Sequence, residues 1–350
     1  MKICFLVTDM TRKGGVEHMA AILASQLSSF YNVYIVSLNN INRIPFFSID
    51  DNVTQLCLSD DTKVFENAKK LRSFLIKNRI DILINVDTGI APVGLLAAFG
   101  TKTKTVTWEH SNFYNNWGSK KFPIIRKFAA RFSNAFVVLT NRDYENYHNN
   151  IKKCAPLYII PNPVEIVDVQ YDLSSKTILS IGHLSHLKQF DIAVRVAAIV
   201  LKKHPDWQWV ICGEGPQRQK LEALINEFDL KDRVILNGPV SDLVAQYSSA
   251  AIYVLTSKIE GLPMVLLESK SYKLPIVSFD IMTGPSDVVT NGLNGYLIEP
   301  NNINKMAEKI NLLIENDDLR IQFSNNSQVD IYKFELNQIL QSWKTLINSL

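Results

Sequence analysis

Apolar runs of five to seven residues punctuate this chain, and between them apolar positions recur at helical spacing. In the first half the runs are KICFLV (2–7), NVYIVSL (32–38), DILINV (81–86), KTVTWE (104–109), AFVVLT (135–140) and LYIIP (157–161). They are rich in β-branched residues and lack polar alternation, as strands buried on both faces of a parallel sheet do. Helical periodicity fills the gaps, as in GVEHMAAILASQLSS (15–29) and FENAKKLRSFLIKN (65–78). The order restarts after residue 165 with KTILSIG (176–182), WQWVICG (207–213), RVILNG (233–238), AIYVLTS (251–257), LPIVSFD (274–280) and GYLIE (295–299). Helices are predicted between them over 190–205, 217–230 and 263–272. Such alternation predicts right-handed crossovers and an α/β fold of doubly wound parallel sheets.

The restart predicts two Rossmann-like domains, 1–165 and 166–334, joined through NPVEIVDVQYDLSSK (162–176) and facing each other across a deep cleft. The last stretch predicts an amphipathic helix over 335–350 whose apolar side needs a dock, expected on the first domain. A length of 350 residues with 47% hydrophobic positions suits two cores better than one. With 17 Phe and 12 Tyr and only 20% charged residues, the composition excludes disorder.

Four scattered cysteines without a C-x-x-C spacing read as reduced thiols of a cytoplasmic protein, not as a disulfide framework or zinc site. The start, MKICFLVTDM, reads as a first strand and not as a signal peptide. No apolar run reaches the roughly 18 to 20 residues of a membrane span, so the expectation is a soluble protein or one held at a membrane surface. The net charge of +3 is uneven. Residues 1–165 hold 20 Lys and Arg against 13 Asp and Glu, and residues 166–350 hold 17 against 21, so the halves are expected to meet different partners.

Ligands of doubly wound sheets bind at the carboxyl ends of the strands, so the loops after strands carry the candidate chemistry. After 2–7 comes TRKGGVEHMA, where Gly14 and Gly15 open a helix with Glu17 in its first turn. Glycines permit close backbone approach, and a helix start offers unpaired N–H groups to a phosphate, although a plain tight loop has the same sequence. His110 follows the run 104–109 at the same predicted sheet edge. In GHLSHLKQFD (182–191), Lys188 can reach a diphosphate as a point charge, with His183 and His186 either assisting or solvated. GEGP (213–216) does not complete a dinucleotide fingerprint, because Arg218 stands where its third glycine would be.

The stretch SKIEGLPMVLLES (257–269) sets Glu260 and Glu268 at the ends of an apolar run. Pro263 suits the first turn of a helix, whose start presents the N–H groups of Gly261, Leu262, Met264 and Val265. Ionised carboxylates repel a diphosphate but accept hydrogen bonds from sugar hydroxyls. Two of them flanking one helix start match ribose, diphosphate and hexose in line. A helix-start acid and a solvated acid are the alternative.

With these positions in hand the chain resembles the family 4 glycosyltransferases of the GT-B fold over nearly its whole length. The resemblance rests on GGVE (14–17), EHSN (109–112), IPNPV (160–164), GHLSHLKQFD, GEGP, EGLPMVLLE (260–268) and GPSDVVTNGLNGYLI (284–298). It implies a retaining, metal-independent enzyme that moves a hexose or N-acetylhexosamine from a UDP-sugar to a lipid-linked oligosaccharide or lipopolysaccharide in bacterial surface polysaccharide synthesis. It implies that Glu268 holds the ribose, Glu260 the donor hexose, Lys188 and Gly15 the diphosphate, and that His110 sits by the transferred sugar. Pro239 and Val240 would flank the uracil, with His183, Gly213 and the 261–264 loop completing the donor site. Two positions depart from the family: His183 replaces an Arg and Gln189 a Gly. A GDP- or ADP-sugar transferase, a nucleotide-sugar epimerase and a silent nucleotide-sugar-binding subunit are the alternatives. No cofactor, metal or nucleic-acid partner is expected.

GSKKFPIIRKFAAR (118–131) holds five basic residues and no acid: Lys120, Lys121, Arg126, Lys127 and Arg131. Phe122, Ile125, Phe128, Ala129 and Phe132 recur there at helical spacing as an apolar face. The basic residues are expected to be a solvated face or a surface resting on anionic lipid and a lipid-linked acceptor at the inner face of the plasma membrane.

Overall fold

The computed structural model describes residues 1–39, 44–58, 63–240 and 242–350. The chain divides into two units, Met1–Pro163 with Asn337–Leu350, and Val164–Leu336.

The first unit is built on strands β1 (Lys2–Val7), β2 (Asn32–Ser37), β3 (Thr54–Cys57), β4 (Ile82–Val86), β5 (Lys104–Trp108), β6 (Ala135–Val138) and β7 (Leu157–Ile159). Its helices are α1 (Gly15–Leu27), α2 (Val64–Asn78), α3 (Ala91–Ala98), α4 (Phe122–Phe132) and α5 (Asn141–Asn150). Among the described residues the strands form one parallel sheet in the order β3-β2-β1-β4-β5-β6-β7. β1 runs in register with β2 from Lys2 opposite Asn32 to Val7 opposite Ser37. All five residues of β4 are buried, as the unbroken apolar run requires with helices on both faces. β3 lies at the edge with three of its four residues exposed, so TQLC carried no apolar run to reveal it.

The second unit holds β8 (Thr177–Ile181), β9 (Gln208–Cys212), β10 (Val234–Gly238), β11 (Ile252–Leu255), β12 (Ile276–Phe279) and β13 (Gly295–Ile298). Its helices are α6 (Phe190–Lys203), α7 (Arg218–Glu227), α8 (Leu243–Ser248), α9 (Met264–Ser271), α10 (Pro285–Val288), α11 (Ile303–Glu315) and α12 (Asp317–Ser327). The sheet order is β10-β9-β8-β11-β12-β13, again parallel. A core of Val194, Trp209, Ile252, Phe279, Ile310 and their neighbours fills it.

The last helix, α13 (Leu336–Asn348), buries Ile339, Leu340, Trp343, Leu346 and Ile347. Trp343 meets Trp108 of β5 edge-on, ring centres 5.0 Å apart, a geometry worth roughly 0.5 to 1.5 kcal/mol beyond the area it buries.

Strand order changes direction between β1 and β4 in the first sheet and between β8 and β11 in the second. At such a switch point the loops leaving neighbouring strands diverge and open a crevice at the sheet's carboxyl edge. The loops there are 8–14 and 87–90 in one unit, and 182–189 and 256–263 in the other.

Candidate active site

In the second unit the switch point brings together the loops that carry Lys188 and Glu260. The Leu187 carbonyl accepts from the N–H of Lys258 at 2.8 Å, and the Thr256 hydroxyl donates to the Lys188 carbonyl at 3.0 Å. These ties fix the two backbones side by side. The Lys188 ammonium then donates to Glu260 Oε1 at 2.6 Å, an ion pair with both side chains mostly shielded from water. The Lys188 stem passes over Gly182, where an added Cβ would stand 3.4 Å from its Cε.

The loop 260–263 is braced from β12's side. The Thr283 hydroxyl donates to the Glu260 carbonyl at 2.6 Å, and an added Cβ on Gly284 would stand 2.5 Å from the Gly261 oxygen. Pro263 is the cap residue of α9, one position before the first turn where the sequence placed it, and Met264 is the first helical residue. Leu262, Leu266 and Leu267 are buried, while Met264 and Val265 are half-exposed at the helix start. So the apolar run does anchor α9, and its amino end stays accessible.

Glu268 lies one turn into α9. It accepts a hydrogen bond from the Tyr247 hydroxyl at 2.5 Å, and Tyr247 is buried, stacked on Tyr272 with ring centres 5.1 Å apart. Burial raises the Glu268 carboxyl above the usual carboxylate range, and the tyrosine hydrogen bond works against that rise. Tyr247 was not a candidate from sequence, because a tyrosine in YSSAAIYV (247–254) reads as core.

Gly213 stands against the neighbouring loop: an added Cβ would lie 1.9 Å from the Gly182 oxygen, and the Gly213 N–H donates to Gly238. Its glycine is demanded by backbone packing between strand ends. His183 is exposed, Pro239 is exposed and Val240 half-buried. Gln189 sits at φ 48° and ψ 43°, in the left-handed region, which gives a physical reason for the glycine that the resemblance places there.

In the first unit Gly14 is the cap residue of α1 and Gly15 its first residue. An added Cβ on Gly14 would meet the Glu17 carboxylate at 2.2 Å, whereas one on Gly15 would meet nothing within 4 Å. Gly14 therefore makes room for Glu17 to fold back on the helix start, and Gly15 faces open space. Burial raises the Glu17 carboxyl.

His110 follows β5 against Trp108, ring centres 4.2 Å apart, and its buried Nε2 has no hydrogen-bond partner. Burial pushes its pKa down to about 3, so the imidazole is neutral and polar towards whatever reaches that nitrogen. Beside it Glu109 is fully buried and accepts from the hydroxyls of Thr88 at 2.6 Å and Tyr147 at 2.8 Å and from the Ser111 N–H at 2.9 Å. Asp87, at φ 93°, accepts from the Gly89 N–H at 2.6 Å. Asp143 accepts from the Phe113 N–H at 2.8 Å. Sequence reasoning named neither acid.

The basic helix needs a correction. Lys120, Lys121, Lys127 and Arg131 are exposed, but Arg126 is only 2% exposed. Its guanidinium donates to Asn116 Oδ1 at 3.0 Å and to the carbonyls of Asn112 and Asn115, with the rings of Phe113 and Phe122 5.5 and 5.0 Å away. It ties the loop 112–116 to α4 and is no surface residue. The buried positions of α4 are Arg126, Ala129 and Ala130, and Phe132, expected on the packed face, is 58% exposed. Small alanines let α4 approach the sheet, which leaves the larger rings outside.

Among the described residues no group of three or more His, Cys, Asp or Glu is placed to hold a metal ion, and no helix is long and apolar enough to cross a membrane. The second unit thus holds the Lys188–Glu260 ion pair in the loops before α9 and, one turn into that helix, Glu268 held by Tyr247.

Comparison with known proteins identifies the family. The family model described as Glycosyltransferase Family 4 matches residues 13–167, and that described as Glycosyl transferases group 1 matches residues 165–330. An uncharacterized glycosyltransferase of Haemophilus influenzae is 32% identical over 354 residues, covering 99% of both chains. A Campylobacter jejuni protein is 28% identical over 363 residues, covering 99% of this chain and 98% of its own. It is named GalNAc-alpha-(1->4)-GalNAc-alpha-(1->3)-diNAcBac-PP-undecaprenol alpha-1,4-N-acetyl-D-galactosaminyltransferase. The structure of a TarM variant of S. aureus, in complex with Fondaparinux, alpha-GlcNAc-glycerol and UDP, superposes with a TM-score of 0.81 over 99% of each chain at 20% identity. That likeness concerns the fold alone, but joined to the family matches and the full-length relative it leaves no other placement: the chain belongs to the family 4 glycosyltransferases of the GT-B fold.

Proposed function

We infer that the protein is a retaining, metal-independent hexosyl- or N-acetylhexosaminyltransferase that uses a UDP-sugar and extends a lipid-linked oligosaccharide or lipopolysaccharide in bacterial surface polysaccharide synthesis, working at the inner face of the plasma membrane. The observation that carries this reading is the Lys188–Glu260 pair with Glu268 one turn further along α9. The Campylobacter relative named for an undecaprenyl-diphosphate glycan and the UDP-bound TarM structure support the choice of acceptor and donor.

In this reading Glu268 accepts the ribose hydroxyls, the start of α9 and Lys188 meet the diphosphate, and Glu260 turns to the hexose once the anion takes its place beside Lys188. Gly15 and His110 are assigned to the same substrate from the first unit, with His110 neutral and Gly15 offering its N–H. The bond between the anomeric carbon and the β-phosphate oxygen breaks. The acceptor oxygen bonds to the same face of the sugar, and its proton passes to a phosphate oxygen of the leaving UDP. Lys188 and the amide groups stabilise the charge that develops there. The Lys120, Lys121, Lys127 and Arg131 side of the first unit serves the acceptor.

A panel of nucleotide sugars, with UDP release followed in the presence of a short oligosaccharide-lipid, tests the reading. Release with a UDP-sugar that depends on the acceptor, and a product of unchanged anomeric configuration, supports it. Binding without turnover marks a silent subunit, and conversion of the donor without acceptor marks an epimerase.

A further inference from the structure

Lys270 follows Glu268 on α9 by two positions, a spacing that puts the two side chains on different faces of the helix. The proposed reaction gives Lys270 no task, yet only 3% of it is exposed. Burial lowers its pKa, with Asp330 favouring the charge and Lys333 opposing it. A lysine is almost never buried without a partner. Here the partner is main chain: the ammonium donates to the Val288 carbonyl at 3.1 Å, inside the protein.

Val288 is the last residue of α10, a single turn that starts at Pro285. The last carbonyls of a helix have no partner within it, and a cation there offsets the negative end of the turn. So short a helix is not held in place by its own hydrogen bonds, and its two ends decide where it sits. One end is the Lys270 contact. The other lies against the loop that carries Glu260. Gly284, the residue before α10, leaves so little room that an added Cβ would stand 2.5 Å from both the Gly261 oxygen and Pro263 Cδ. Thr283 donates its hydroxyl to the Glu260 carbonyl at 2.6 Å. α10 is therefore a strut between Lys270 and the loop 260–263. Its footing is firm, because Ser271, next to Lys270, donates to the Glu165 carbonyl and accepts from the Val167 N–H at 3.0 Å. Gln328 Nε2 donates to the Ser271 carbonyl at 2.9 Å.

We propose that Lys270 is a positioning residue for the donor site, which holds α10 and thereby sets the loop from which Glu260 addresses the transferred sugar. The inference rests on the proposed role of Glu260 and adds to it a residue that acts only through the main chain. Glu268 is held separately, by Tyr247. Loss of the ammonium should therefore divide the site, displacing Glu260 while leaving the nucleotide end in place.

The test compares the wild-type protein with Lys270→Met, which keeps an unbranched apolar stem and removes the charge. UDP affinity by calorimetry should be unchanged. The kcat for UDP release, with the donor and acceptor found in the nucleotide-sugar panel, should fall about 10- to 100-fold, the scale of a misplaced catalytic group. Lys270→Arg restores a cationic donor and should recover much of that loss. Hydrogen exchange supplies a readout independent of turnover: the amides of 260–262 and 284–289 should exchange about tenfold faster in Lys270→Met, and those of α6 and β9 at the wild-type rate. Thr283→Val cuts the strut at its other end without touching Lys270 and should give the same split between kcat and UDP affinity. Unchanged kcat in Thr283→Val overturns the proposal whether or not Lys270→Met folds. So does a loss of UDP affinity in Lys270→Met as large as its loss of kcat, or loosened exchange throughout the second unit, which would make Lys270 a plain core residue. Faster exchange confined to the two loops, in a protein that turns over no donor, would leave the strut standing and remove the proposed reaction instead.

Discussion

In the second unit the Lys188 ammonium lies 2.6 Å from Glu260 Oε1, although 72 positions separate them in the chain. The pair occupies the place that the proposed reading gives to the diphosphate, so donor binding must exchange one anion for another on Lys188. Glu260→Gln removes the competing charge. UDP affinity should then hold or rise a few-fold, while turnover falls by about 100- to 1000-fold for loss of a group aimed at the reacting sugar. Lys188→Ala should weaken UDP by roughly 10- to 100-fold, the range for a charged hydrogen bond. Calorimetry with UDP and steady-state rates read both; equal losses of affinity and turnover in Glu260→Gln would assign it a plain binding role.

That contact marks the limit of what the sequence reveals. The runs 2–7, 81–86, 176–182 and 251–257 gave the central strands within one or two residues, because strands buried on both faces are written as unbroken apolar stretches. Lys188, Glu260 and Glu268 stood out because charges beside such stretches are rare. Their pairing was not legible, since it follows from β8 and β11 becoming neighbours at the switch point. Arg126 misled for the opposite reason. Its carbonyl partners belong to a loop whose path no periodicity encodes, so a buried cation in a basic segment reads as one more surface charge. Asp87 and Asp143 were hidden among ordinary loop and helix-start acids.

Tyr247 holds Glu268 by a single short hydrogen bond inside the protein. Tyr247→Phe keeps the ring stacked on Tyr272 and deletes only the donor. The lost hydrogen bond favours protonation of an already raised carboxyl, and an unheld carboxylate is a poorer partner for the ribose. The donor KM should rise about tenfold with kcat changed little, and KM should begin its acid-side increase at higher pH than in the wild type. A pH series of KM decides; a fall in kcat alone, with KM constant, would contradict it.

The two glycines before α1 should separate fold from function. Gly14→Ala forces the Glu17 carboxylate off the helix start and should lower the thermal midpoint by a few degrees, about 1 to 2 kcal/mol. Gly15→Ala meets open space, so the fold should tolerate it while UDP-sugar KM rises several-fold because the methyl group crowds the approach to the amide. Melting curves and kinetics of both variants check this; a destabilised Gly15→Ala protein of normal KM would refute the assignment.

Gln189 holds a left-handed conformation at the start of α6 and donates through Nε2 to Asn301 Oδ1 at 3.3 Å. That long, exposed hydrogen bond offsets little of the roughly 1 kcal/mol that the backbone conformation costs a residue with a Cβ. Gln189→Gly should therefore raise the thermal midpoint by about 1 to 3 °C, and Gln189→Val, with a branched Cβ, should lower it. Differential scanning calorimetry on the three proteins checks the order.

The acids around Glu109 set how stability responds to pH. Asp87 and Asp143 are both pushed up to about 7, first by burial and then against the Glu109 charge; Arg126 and the N–H groups of Gly89 and Phe113 offset part of the rise. Glu17 also faces Asp87, and its carboxyl is raised too. Folded protein thus retains protons at pH 6 that the unfolded chain has released. Their stabilisation is complete below the ordinary Asp range near 4 and is lost as pH rises through 7. His110, pushed down to about 3, acts in the opposite direction but only below about pH 6.5, where the unfolded imidazole binds a proton. Lys270 of the second unit, lowered to about 8 by burial, opposes the trend mainly from pH 8 upward. Between pH 6 and 8 the carboxyls prevail, and stability should fall by on the order of 2 kcal/mol, about 4 to 8 °C in thermal midpoint. Asp143→Asn keeps an acceptor for the Phe113 N–H and removes the titration, so it should roughly halve that fall. A midpoint that is flat or rising from pH 6 to 8 in the wild-type protein, or an undiminished slope in Asp143→Asn, would mean that these carboxyls are ionised in the folded state.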